Sequence, residues 1–117
     1  MTSGLHEYER WLTERIDPYM CIQGSYVVLD FGRTRGIDIS GCTDLDTLVP
    51  AAAQLRDYLE THKPTAAFPS LPERYLLLRF CGMVIRHNRL KIDSSDAEHS
   101  IDRAWGGFDW QTGRWRG

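Results

Sequence analysis

The sequence predicts an α+β fold: a small antiparallel sheet packed against three or four helices. Two observations carry that expectation. Apolar residues recur at helical spacing in several long stretches, whereas YVVLDF (26–31) is a short run of β-branched and aromatic side chains. Glycine and proline then fall between these stretches, where turns are needed. The chain has 117 residues, 42% of them hydrophobic and 26% charged. That is the composition of one ordinary folded domain over 1–117, large enough to bury a core.

Residues 3–16 read as an amphipathic helix. Leu5, Tyr8, Leu12 and Ile16 form one stripe, Trp11 widens it, and Pro18 ends it. YVVLDF, the glycine-bounded loop GRTRG (32–36) and IDIS (37–40) then read as a hairpin over about 22–40. Val27, Leu29 and Phe31 share its core face, and Asp30 and Asp38 point away.

Thr43 is a candidate N-cap, with Asp46 placed to favour a helix N-terminus. Leu45, Leu48, Ala52, Leu55 and Leu59 keep the spacing of that helix to His62, with Pro50 inside it as a kink or a new start. KPTAAFPSLP (63–72) reads as a surface loop. Ser70 and Glu73 suggest a capping box opening a helix over about 71–87, apolar around its axis and therefore central; a strand turning at Cys81–Gly82 is the rival. RLKID (89–93) alternates and predicts a further strand. Ser95 and Glu98 suggest a second capping box, for a helix to Ala104 ended by Gly106 and Gly107. FDWQTGRW predicts a tight terminal hairpin.

Charge and cysteine usage narrow the function classes. The net charge is −2, so the chain lacks the positive field of a nucleic-acid surface. No apolar run approaches the ~20 residues of a membrane span. Three cysteines without a C-x-x-C pair suit reduced thiols in the cytoplasm.

No catalytic, cofactor or metal motif stands out. Cys42 lies beside a helix N-terminus, which would lower its pKa, and Cys81 lies in apolar surroundings. The carboxylates Asp30, Asp38, Asp44 and Asp46 could pair for acid–base work. Asp93, Asp96, Glu98, His99 and Asp102 offer oxygen and imidazole ligands, but at no established metal spacing. RHNRLK (86–91) is basic and could touch phosphates.

Two stretches favour binding over catalysis. The tail AWGGFDWQTGRWRG (104–117) concentrates tryptophan and arginine, the residues enriched at binding hot spots. Trp105 closes a helix and is expected in the core. Trp110, Arg114, Trp115 and Arg116 are the expected partner contacts. In GRTRG, Arg33 and Arg35 could fork onto a phosphate or carboxylate.

The expected function is a non-enzymatic protein-binding module that blocks a partner's surface, as an inhibitor, immunity protein or antitoxin does. The acidic N-terminal half (Glu7, Glu9, Glu14) would steer a basic partner. A sensor of a phosphate-bearing ligand or nucleotide, using the 32–36 loop, is the alternative. A small hydrolase using Cys42 or the carboxylates is the third.

Overall fold

The computed structural model describes Glu14 and residues 19–61, 73–109, 111–112 and 114–116. The amphipathic helix expected over 3–16, apart from helical Glu14, and the 63–72 loop lie outside the described residues.

Met20–Gln23 (β1), Tyr26–Asp30 (β2) and Thr34–Asp38 (β3) form an antiparallel sheet in the order β1-β2-β3. Gly24 and Ser25 close the first turn, with Gly24 at φ 62°; glycine is the residue that adopts this conformation without strain. A three-residue turn, 31–33, closes the second, with Gly32 at φ 120°. The predicted hairpin is therefore present, with a shorter turn than GRTRG implied and a further strand before it. Met20, Val27, Leu29 and Ile37 are fully buried on one face, and Asp30 and Asp38 are exposed.

Leu45–Thr61 forms α1. Its cap is Asp44 rather than Thr43. Asp44 Oδ1 accepts the Thr47 N–H at 3.0 Å, while Thr47 Oγ1 accepts the N–H groups of Thr43 and Asp44. This reciprocal box satisfies donors that the helix leaves open. Exposed Pro50 lies inside α1, which continues through it. Leu48, Ala51, Ala52, Leu55, Tyr58 and Leu59 face the core.

Glu73–His87 forms α2, the helix rather than the rival strand. No residue from Arg74 to Ile85 is exposed, so it is the central helix that its apolar girth predicted. The expected strand near 89–93 is absent: those residues connect α2 to the next helix. Arg89 takes φ 54° and Leu90 N–H donates to the Ile85 carbonyl at 2.9 Å. That is a Schellman stop, and it turns the backbone away before RLKID can pair.

Ser94–Ala104 forms α3. Asp93, not Ser95, sits at its N-cap, without a side-chain cap bond, and the proposed second capping box is not made. Gly106 at φ 74° and Gly107 at φ 87° end it as predicted, with Gly107 N–H donating to the Asp102 carbonyl at 2.8 Å. Phe108–Asp109 (β4) and Arg114–Trp115 (β5) then pair antiparallel as the terminal hairpin.

One hydrophobic core joins the inner sheet face, all three helices and the hairpin rings Phe108 and Trp115. Among the described residues, no helix is long and apolar enough to cross a membrane.

Candidate functional site

The β2–β3 turn meets the last turn of α1, and Tyr58 makes the joint. Its hydroxyl accepts the Phe31 N–H at 2.9 Å and donates to the Arg33 carbonyl. The Phe31 ring stands 6.5 Å from the Tyr58 ring and stacks on Tyr19 at 5.5 Å. One buried phenol thus fixes both flanks of a glycine-containing turn. Each neutral hydrogen bond contributes about 1 kcal/mol, and an unpaired buried group costs about 1–3.

Arg33, Thr34, Arg35, Tyr58 and Thr61 line a cleft of about 290 Å³ at this joint. Arg35 lies opposite Leu29 in the register and so belongs to the helix-covered side of the sheet, at its exposed margin. Both arginines are exposed, and neither guanidinium makes an ion pair or hydrogen bond among the described residues.

The volume lies at the lower end of the ~300–1,000 Å³ typical of small-molecule pockets. The carbonyl end of α1 is close by, and its last turn holds no basic residue. A helix dipole is worth about 0.3–1 kcal/mol at such a site, against about 1.5–3 for each hydrogen bond to a charged group. The arginine side of the cleft therefore sets two positive charges against the negative helix end.

The tryptophan tail is arranged differently. Trp115 is 6% exposed, edge-on to Trp105 at 5.2 Å and to Phe108 at 5.0 Å. Trp105 is buried as expected, beneath the Arg56 guanidinium at 4.8 Å. Trp115 is thus a core residue and not a surface anchor. Its Nε1–H is buried without an acceptor among the described residues, which costs about 1–3 kcal/mol. Burying an indole of roughly 150–250 Å² returns about 4–6 kcal/mol, so burial wins. Of the other expected contacts, Arg116 is exposed, Arg114 pairs with Asp109 in the ladder, and Trp110 lies outside the described residues, as does the Arg114 side chain.

Arg74 holds this corner together. It is 8% exposed, at the start of α2. Its guanidinium donates to Asp102 at 2.6 and 3.1 Å and to Glu98, and lies 5.2 Å from the Trp115 ring. Asp102 comes first among the causes that raise its pKa, so the cation is firmly charged. Glu98 and Asp102 do share one face of α3, as their spacing implied, but that face meets an arginine. Among the described residues, no group of His, Cys, Asp and Glu is arranged to hold a metal ion.

Burial overrides the helix end at Cys42. The thiol is buried, its Sγ donates to the Thr47 carbonyl at 3.7 Å, and desolvation, then Asp38, pushes its pKa up rather than down. Cys81 is pushed up to about 12 by burial. Neither is a ready nucleophile. The Asp38 carboxylate accepts the Ser40 hydroxyl and N–H, and Asp44 caps α1. In the basic run, Arg86, His87, Arg89 and Lys91 are exposed, but Asn88 turns inward to the carbonyls of Ile39 and Cys42.

Tyr58, Thr61 and Arg74 were not singled out in the sequence. Tyr58 falls on the apolar stripe of α1, three residues after Leu55, and that position was the available signal. Arg74 has none, because its partners lie 24 and 28 residues away. No protein-family model, curated protein or solved structure matches the chain.

Proposed function

We propose that this chain is a non-enzymatic binding protein that covers a surface of another protein, and that the Arg33–Arg35 cleft holds an anionic group of that partner. One observation carries the reading: Arg33 and Arg35, without an ion pair among the described residues, line a cleft whose backbone is already pinned by Tyr58. Preorganisation of this kind lowers the entropy cost of binding. A block of a partner's surface needs no nucleophile, and both buried thiols are unfavourably placed to be one. Three free cysteines suit a reducing compartment, so the cytoplasm is the proposed location.

Pyrophosphate tests the cleft. At a hundredfold excess over its dissociation constant it should stabilise the fold by about 2.7 kcal/mol. The Arg33→Ala, Arg35→Ala double variant should lose that gain. An equal thermal shift in both proteins would remove the cleft from consideration.

A second reading keeps the C-terminal hairpin as a partner contact. It is favoured by the docking of Trp115 and by exposed Arg116, which the anchored strand presents in a defined place. Alanine at Trp110 and Arg116 should then weaken partner capture without lowering Tm. Deleting the tail is a poor test, since it also removes Trp115 from the core.

A further inference from the structure

The free edge of β3 runs beside the cleft, and its hydrogen-bonding phase can be read. Ile39 N–H donates to the Ser25 carbonyl at 2.9 Å, which makes Ser25–Ile39 a hydrogen-bonded pair. Antiparallel pairs alternate, so Val27–Ile37 and Leu29–Arg35 are bonded pairs as well. The N–H and C=O groups of Thr34, Gly36 and Asp38 therefore point away from β2. β3 is the last strand in the sheet order, and Thr34, Arg35, Gly36 and Asp38 are all exposed. These outward groups have no backbone partner among the described residues. The strand contains no proline and no lysine, two of the usual guards of an open edge.

Charge is distributed unevenly along this edge. Arg33 and Arg35 stand at its start, next to the cleft, and Asp38 stands at its end. A strand added to β3 would bond to Thr34, Gly36 and Asp38. Its side chain opposite Arg35 would lie on Arg35's face of the sheet, at the mouth of the cleft. Non-hydrogen-bonded neighbours approach to about 4.5 Å between Cα atoms, close enough for a carboxylate to meet the guanidinium.

We propose that β3 takes an extended acidic segment of a partner protein as a fourth strand, with a carboxylate seated on Arg33 and Arg35. This rests on the anion-binding reading of the cleft and names what carries the anion. The main-chain bonds supply affinity, and the arginines set the register. Asp38 disfavours acid at the far end, so the segment is acidic where it passes Arg35 and neutral or basic where it passes Asp38.

The test uses the full chain and a fluorescein-labelled octapeptide of alternating threonine and glutamate. Its companions are the same peptide N-methylated at alternate amides and a threonine–lysine version. The unmodified acidic peptide should bind, and the other two should bind about tenfold or more weakly, the methylated one for want of neutral main-chain bonds and the lysine one for want of a charge-assisted bond. On binding, amide exchange should slow at Thr34, Gly36 and Asp38, whereas Arg35 and Ile37 are already protected in the free protein. The Arg33→Ala, Arg35→Ala variant should lose the peptide while its far-ultraviolet circular dichroism is unchanged. Gly36→Pro removes an outward N–H and no bond to β2, although its Cβ comes within 3.3 Å of the Tyr26 ring, which must shift slightly. With far-ultraviolet circular dichroism unchanged, it should lose the peptide and keep the pyrophosphate shift.

Equal binding of the methylated and unmethylated peptides, with pyrophosphate still stabilising the fold, overturns strand addition and leaves the cleft standing. Failure of peptide and pyrophosphate together overturns both. Protection of the three edge amides by a second copy of the chain, seen as a concentration-dependent dimer, overturns the acidic segment as the occupant.

Discussion

Arg74 and the Arg33–Arg35 pair each stand beside aromatic rings, yet the molecule uses them in opposite ways. Arg74 is nearly buried, its donors go to Glu98 and Asp102, and its face covers Trp115. Arg33 and Arg35 are exposed beside Tyr58 with no acid paired to them among the described residues. The difference lies in where the carboxylates point. Two acids one helical turn apart on α3 converge on Arg74. Near the turn, Asp30 pairs with Thr34, and the pleat sets that pair on the opposite face from Leu29 and Arg35. An arginine whose charge is met inside the chain becomes part of the scaffold, and one whose charge is left unmet is available to a partner.

The largest effect should come from the scaffold side. Trp115→Ala removes a buried indole and should cost about 3–5 kcal/mol, read as a fall in the urea midpoint. A change within experimental error would return Trp115 to the surface and dissolve the contrast.

Arg74→Ala should cost less, about 2 kcal/mol. Glu98 and Asp102 are 39% and 32% exposed, so water screens part of the loss, but the two acids are then left facing each other. Arg74→Met keeps the packing over Trp115, and its urea midpoint should fall between those of wild type and alanine. If methionine matches wild type, packing rather than charge holds the corner.

Tyr58→Phe sharpens the other side. It keeps the ring and leaves the Phe31 N–H and Arg33 carbonyl without the hydroxyl they share, at about 1–2 kcal/mol. Pyrophosphate affinity should fall as well, because the turn that presents Arg33 is no longer fixed. Unchanged affinity in this variant would mean that the turn needs no pin.

The smallest effect on stability belongs to Arg33→Ala, Arg35→Ala, within about 0.5 kcal/mol as for ordinary surface changes. A thermal melt showing a loss several times larger would class these arginines with Arg74.

The helices were legible in the sequence because each buries a broad face whose period survives in one dimension. Leu48, Leu55 and Leu59 in α1, and Leu76, Phe80 and Val84 in α2, are all fully buried. The strands were read less well. MCIQ in β1 is too short to declare alternation, and its pairing comes from the Gly24–Ser25 turn. RLKID does alternate, yet Arg89 diverts it. A strand is completed by a neighbour, and the sequence of one segment does not name that neighbour. The site divides along the same line. Arg33 and Arg35 were visible because a glycine-bounded loop displays them. Tyr58 was hidden in an apolar stripe, and the burial of Trp115 depends on Arg74, some forty residues earlier in the chain.

The edge-on pair of Trp105 and Trp115 also makes the chain its own reporter. Two indoles with centroids 5.2 Å apart and planes at 80° couple their excited states and produce a signed pair of bands in circular dichroism. That signal exists only while the terminal hairpin is docked against α3. Undocking of the tail can therefore be followed by light alone, with no label attached, and told apart from loss of the helices by the near-ultraviolet indole bands, where peptide bonds do not absorb.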